Sequence, residues 1–363
     1  MLSPTVQYSG APLRVALCYK NFAAANPNIS HIGLGVSALN TCKVLEREGI
    51  HCEVWPIATP QDLTNRLERE YSTPYPVTHV VVSAPWIPIP TWASILSRWH
   101  RIHFAVNCHS NLGFLQADVN GTANLQGCVR LETAWPNFHI AANNRTFGRW
   151  INQTQAAPCA FLPNLYYLHE LTRTNRPTFS SGPGAGGTLN VGCFGAVRPL
   201  KNGMTAAAAA ITLARRLRCK LEFWVSNGRS EGGGLTVMNA MAQLFPAHPN
   251  PQERIVKSDW AAWPEFRQTI ASMHVLFQPS YTESFNMVTA DGIAEGVPSV
   301  VSSAIDWVPA HWVADADDPE DVTRVGWNLL MNPHAAAEGL EALESYVEAG
   351  IRAWKQYLAV KRV

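Results

Sequence analysis

Charge is scarce in this chain. Only 15% of its 363 residues are Asp, Glu, Lys or Arg, and the formal net charge is +1. So even a balance excludes binding to nucleic acid through a globally basic surface, though it leaves room for a local basic patch. Long apolar runs are missing as well. No stretch reaches the roughly 20 residues that span a bilayer, and no apolar signal-peptide core stands at the N-terminus. No membrane insertion and a cytoplasmic location are therefore expected. The eight cysteines include no Cys-x-x-Cys pair, which removes the familiar zinc-ribbon and dithiol spacings. Cys18 and Cys193 fall in apolar, strand-like runs, where a free thiol packs as a small hydrophobe, and a reducing compartment fits. There is no Walker loop and no serine-centred nucleophile elbow. Nor does an Asp-x-Asp-like pair stand at a strand end to hold a divalent ion against a diphosphate. The acidic run Asp315, Asp317, Asp318 reads as a solvated loop, so no metal is expected.

What is present suffices for two cores. Hydrophobic residues make up 47% of the chain, and single cores stop growing well below this length. Leu13 to Tyr19 reads as a buried strand followed by a polar loop through His31. Gly33-Leu34-Gly35 then opens a helix, Val36 to Glu48, which Gly49 ends, and Glu53 to Pro56 begins the next strand. This order is the first unit of a doubly wound parallel sheet. His79 to Ser83, a helix from Trp92 to Trp99, and Ile102 to Asn107 continue it, with a short strand at Phe138 to Ala142. Pro, Ser, Thr and Gly then crowd 172–187, which reads as a linker. A strand from Leu189 to Phe194, a helix from Met204 to Leu217 and a strand from Glu222 to Val225 repeat the pattern. The expected organisation is a domain over 1–171, the linker 172–187, a second domain over 188–334, and terminal helices over 335–363. The class is α/β, with two doubly wound parallel sheets.

Twelve residues carry the most chemistry: Ser280-Tyr281-Thr282-Glu283-Ser284-Phe285-Asn286-Met287-Val288-Thr289-Ala290-Asp291. They follow the apolar run Met273 to Gln278 and enter a helix expected from about Phe285 to Glu295. Ser284 is the expected N-cap, and Gly296 and Pro298 end the helix. One acid stands in the loop and another eight positions on, roughly 12 Å along a helix axis. That spacing suits a ligand with a polar group at each end and an anion between, the layout of a nucleotide-sugar.

The stretch resembles the donor-binding signature of retaining glycosyltransferases of GT-B fold, in the GT4-like group: an acid, seven residues, and a second acid, here Asp291 where Glu is usual. The resemblance implies two Rossmann-like domains facing each other across a cleft, with the last helix crossing back to the first domain. It implies that Glu283 binds sugar hydroxyls, that the backbone of Ser284, Phe285 and Asn286 approaches sugar or phosphate, and that Asp291 meets the ribose diol. Gly195-Ala196-Val197-Arg198-Pro199-Leu200-Lys201-Asn202 joins a strand to a helix, where this group places cations on the donor diphosphate. Lys201 matches the position of the group's lysine, while Arg198 lies two residues beyond that of its arginine. His109, after a buried strand, matches a histidine near the transferred sugar. Gly33 and Gly35 fall where the group has a glycine-rich loop facing the phosphates, and Asn227 ends the strand that starts at Glu222.

The implied activity is metal-independent transfer of a hexosyl group from a nucleotide-sugar, UDP-linked by expectation, to a hydroxyl acceptor. No cofactor is expected beyond that co-substrate. The motif variant resembles a subset found in phage and cyanobacterial genomes, some of whose members glycosylate hydroxymethylated pyrimidines. The acceptor reading is accordingly 5-hydroxymethylpyrimidine in DNA. Arg98 and Arg101 in Arg98-Trp99-His100-Arg101, together with Arg145, Arg149, Arg173 and Arg176, supply cations for a phosphate backbone. Trp86, Trp92 and Trp99 offer stacking surfaces, and Asn143, Asn144 and Arg145 follow a strand end that lines the cleft. Polysaccharide, protein and small-molecule acceptors stay open, as does a non-catalytic GT-B domain that binds a nucleotide or glycan.

Overall fold

The computed structural model describes residues 7–8, 11–21, 32–118, 120–168, 187–245 and 252–359. Most of the leader, the loop to His31, linker residues 172–186, and Arg173 and Arg176 lie outside them. The chain divides into two compact units, Met1–Tyr167 with Val347–Val363, and Leu168–Tyr346.

The first unit opens with a short antiparallel pair, β1 (Gln7–Tyr8) and β2 (Ala11–Pro12). There follow β3 (Arg14–Lys20), α1 (Ile32–Arg47), β4 (His51–Ile57), α2 (Pro60–Tyr71), β5 (His79–Ser83), α3 (Ile89–Arg98) and β6 (His103–Cys108). Then come α4 (Leu112–Leu115), α5 (Gly121–Ala134), β7 (Phe138–Ala142), α6 (Arg145–Thr154) and β8 (Cys159–Phe161). Strands β3 to β8 form one parallel sheet in the order β4-β3-β5-β6-β7-β8. Every residue of β5, β6 and β7 is buried, as strands covered on both faces require. Trp92 stands edge-on to Phe104 at 5.8 Å and to Phe138 at 5.2 Å between centroids. Trp92 and Trp99 are therefore core residues, 0% and 3% exposed, and neither offers a stacking surface to an acceptor.

The second unit holds β9 (Thr188–Cys193), α7 (Gly203–Leu217), β10 (Lys220–Ser226), α8 (Gly234–Gln243), β11 (Glu253–Ser258) and α9 (Trp263–Ala271). It continues with β12 (Val275–Gln278), α10 (Met287–Ala294), β13 (Ser299–Val301) and α11 (Pro319–Met331). Its sheet is also parallel, in the order β11-β10-β9-β12-β13. The terminal segment is one helix, α12 (Ala335–Ala359). The portion to Tyr346 packs in the second unit and the portion from Val347 in the first. There the Trp354 indole donates to the Pro163 carbonyl at 2.9 Å. Gly350 allows the close approach: a Cβ at that position would lie 2.5 Å from Leu165 and 3.0 Å from Pro163.

Helix α10 starts two residues later than expected. Its cap is Asn286, at φ 64°, whose side chain accepts from the Thr289 amide at 2.9 Å. Asparagine tolerates this left-handed backbone better than serine does, and its amide can hold the cap and a second partner at once.

Candidate functional site

In the second sheet, β9 and β12 lie side by side although three helices and two strands separate them in sequence. The strand order reverses there, and in doubly wound sheets ligands bind beyond the carboxyl ends of the strands at such a point. The loops that rise from these ends are the two motifs singled out in the sequence. They are tied together: the Tyr281 amide donates to the Leu200 carbonyl at 2.9 Å. Asn202, buried and left-handed at φ 55°, donates to the carbonyls of Pro279 at 3.1 Å and Ala316 at 2.6 Å. Sequence reasoning passed over Asn202, although an asparagine just before a helix is a marked residue for a left-handed turn.

Lys201 and Glu283 meet across this seam in an ion pair. Their side chains are 16% and 9% exposed, so water screens the pair weakly. Asn286 donates to the same Glu283 oxygen at 3.2 Å and to Gln278 Oε1 at 3.2 Å, so the helix cap also orients the acid. Gly195, at φ 110°, takes a turn that other residues resist, and an added Cβ there would stand 3.7 Å from Lys201 Cε. Phe285 is 1% exposed and stacks on Trp307 at 5.1 Å and Tyr346 at 5.3 Å. Its carbonyl accepts from the Trp307 indole at 2.7 Å. Phe285 thus anchors the loop, with Ser284 half-buried beside it.

Arg198 bonds to a different acid, Glu231, at 3.3 Å. Glu231 also takes Arg229, whose guanidinium lies 5.7 Å from the Trp260 ring centroid. Arg198 and Arg229 are therefore gathered on one carboxylate, and the Val197 amide donates to the Arg229 carbonyl at 3.1 Å to hold the two loops in step. Asn227 reaches Asp259 at 3.3 Å. Asp291 is 2% exposed and accepts from the Trp263 indole at 3.0 Å; this bond to α9 had no signal in the motif.

In the first unit, His109 follows β6 and Asn143 follows β7, at the carboxyl end of that sheet. The Asn143 amide donates to His109 Nδ1 at 3.3 Å, which leaves the ring proton on Nε2. Burial pulls His109 down to about 4, so the ring is neutral at pH 7. Asn144 caps α6, accepting from the Phe147 amide at 3.1 Å. The exposed Arg145 lays its guanidinium 4.2 Å from the Phe161 ring centroid. Lys20 stands 5.2 Å from the ring centroid of half-buried Trp86. Arg98 pairs with Glu68 at 2.6 Å and lies over Trp99, while Arg101 is exposed. Gly33 and Gly35 sit inside the first turn of α1 rather than in a loop before it. A Cβ on Gly35 would press the Tyr19 ring at 3.2 Å, so that glycine serves helix–strand packing. Among the described residues, no three His, Cys, Asp or Glu side chains gather as a metal site would require, and no helix is long and apolar enough to cross a membrane.

No protein-family model matches this sequence, and no curated protein does. Solved structures do. Sucrose-phosphate synthase from Thermosynechococcus elongatus shares 13% identity over 95% of this chain and 98% of its own, at a TM-score of 0.62. The catalytic domain of starch synthase IV from Arabidopsis thaliana, bound to ADP and acarbose, shares 9% over 96% and 100%, at 0.65. TarM from S. aureus, with UDP among its ligands, shares 12% at 0.55 over 78% of this chain, which spans 55% of the TarM chain. At such identities the likeness speaks for the fold alone, and the fold of this chain is GT-B, two Rossmann-like parallel-sheet domains in one polypeptide.

Proposed function

We propose that this chain is a retaining, metal-independent glycosyltransferase that moves a hexosyl group from a nucleotide-sugar, UDP-linked in the first instance, to a hydroxyl acceptor. The observation that supports it best is the weakly hydrated Lys201–Glu283 pair at the β9/β12 switch point. A donor diphosphate would draw Lys201 to its oxygens, beside the amide-rich starts of α7 and α10. Glu283, still held by Asn286, would then accept hydrogen bonds from sugar hydroxyls. Arg198 and Arg229 form a second cationic group for the same anion. His109, with its proton on Nε2, donates to a sugar hydroxyl.

In this reading the bond from the anomeric carbon to phosphate breaks as the acceptor oxygen attacks from the same face. The acceptor proton passes to the departing phosphate oxygen. The protein contributes positioning and stabilisation of the leaving charge. Asp291, bonded to Trp263, is assigned to the ribose through its charge. For the acceptor, hydroxymethylated DNA is kept as the specific reading. Arg101 is its more available cation, since Arg98 is engaged by Glu68 and Trp99.

Purified protein should release nucleotide from a UDP-hexose, faster when a hydroxyl acceptor is supplied, and Asp291→Asn should weaken donor binding while keeping the Trp263 bond. Duplexes containing 5-hydroxymethylcytosine should gain a hexose mass. No turnover with any of a panel of nucleotide-sugars would replace this reading with a non-catalytic binding domain. Turnover without DNA modification would remove only the acceptor.

A further inference from the structure

A cavity of about 560 Å³ lies wholly within the first unit, between the outer strands of its sheet and the last turns of α12. Its size falls in the range of small-molecule sites. Small side chains on one helix face, Ala349 and Ala353, leave the space open. One end is built of imidazoles. His79, His103 and His139 stand near the starts of adjacent strands as a ladder, with centroids 5.2 and 6.0 Å apart and planes 20° and 8° from parallel. Tyr357 meets the two outer rings edge-on, each at 5.8 Å. All three histidines are at least nine-tenths buried. Burial and the neighbouring histidines push His79 down to about 3. It stays neutral at pH 7, with its Nδ1 held 3.0 Å from Thr78 Oγ1. Glu132, 8% exposed, sits 3.6 Å from His139 Nδ1 and accepts from the Ile140 amide at 2.5 Å.

The other end is cationic. Arg145 follows the carboxyl end of β7 and is braced on Phe161, the last residue of β8. Arg352 precedes Tyr357 by five residues, roughly 7.5 Å along the helix, and α12 passes Pro163, beyond β8, before it reaches the histidines. Arg352 is therefore displaced from the ladder toward Arg145, and both line the cavity. Two guanidiniums at one end suit a phosphate or carboxylate. A row of ring nitrogens with one carboxylate at the other suits hydroxyl groups, which both donate and accept.

We propose that this cavity binds an anionic monosaccharide, its phosphate or carboxylate between Arg145 and Arg352 and its hydroxyls toward His103, His139 and Glu132. Calorimetric titration of the full chain with glucose 6-phosphate and with glucuronate tests it, with glucose and inorganic phosphate as controls. At least one anionic sugar should bind about ten-fold or more tightly than either control. Arg352→Glu, an exposed change, should weaken that binding by about ten-fold or more, and Ala353→Phe should fill the cavity and abolish it, while Lys201→Ala in the other unit leaves it intact. Three outcomes would overturn the proposal: no binding of either anionic sugar, inorganic phosphate binding equally well, or binding that survives Arg352→Glu. None of these readouts depends on glycosyl transfer.

Discussion

Removing Glu283 should separate binding from turnover. In Glu283→Ala the Lys201 ammonium loses its partner in a place where its side chain is only 16% exposed. Breaking a fully buried pair costs about 3–5 kcal/mol, and residual access to water lowers this to roughly 2 kcal/mol here. For a domain of this size that corresponds to a fall in Tm of about 4–8 °C. The double variant Glu283→Ala with Lys201→Met should be less destabilised than the sum of the single changes by about 1–2 kcal/mol, because no orphaned cation remains. The same logic runs through the ligand. Glu283 competes with a diphosphate for Lys201, so the single variant should bind UDP at least as tightly as the parent while losing most of its transfer activity. Thermal melting of the four proteins, calorimetric UDP titration and a nucleotide-release assay provide the three readings. Additive stabilities, or a ten-fold loss of UDP affinity in Glu283→Ala, would refute a shared Lys201.

Acid should destabilise the first unit through His79, whose ordinary value of 6.5 falls to about 3 in the fold. The unfolded chain takes up a proton as pH drops below 6.5 while the folded chain does not, so stability declines from there toward pH 3 at about 1.4 kcal/mol per unit from this group. Urea melts of His79→Gln should show about 2 kcal/mol less loss between pH 6.5 and 5 than the parent, and an equal loss would discount His79. Nucleotide release should persist in excess EDTA, since Lys201, Arg198 and helix starts are assigned to the leaving charge. Complete loss, restored by magnesium, would contradict that assignment.

Much of the fold was legible because burial on both faces writes itself as apolar runs. The strands His79–Ser83 and Phe138–Ala142 stand where the sequence placed them. Helices α5, α6 and α8 escaped notice where Gly, Asn and Thr dilute the apolar stripe, and α2 and α9 were missed as well. For α11, Asp318 followed by Pro319 was a start signal left unused. The two motif loops were readable as loops, but their partners were not. Arg198 was read as a cation for the diphosphate, but the acid it shares with Arg229, Glu231, was not read. No local pattern announces a carboxylate 33 residues away. Asp291 is the instructive position. Its helix, Met-Val-Thr-Ala-Asp-Gly-Ile-Ala, is nearly apolar all round, and such helices are buried. That alone predicts a partnered acid, while Trp263 could be named only from the packing of α9.

The cysteines have a practical consequence. Burial raises the thiols of Cys128, Cys159 and Cys193 to about 12 and displaces Cys18 and Cys108 upward as well. The reactive species is the thiolate, so these five thiols should react only slowly with iodoacetamide while the protein is folded. Alkylation of any of the five then records an opening event. Cys18, Cys108, Cys128 and Cys159 belong to one unit and Cys193 to the other. Peptide mapping of a labelling time course would clock the breathing of each half of the molecule separately, with no probe added.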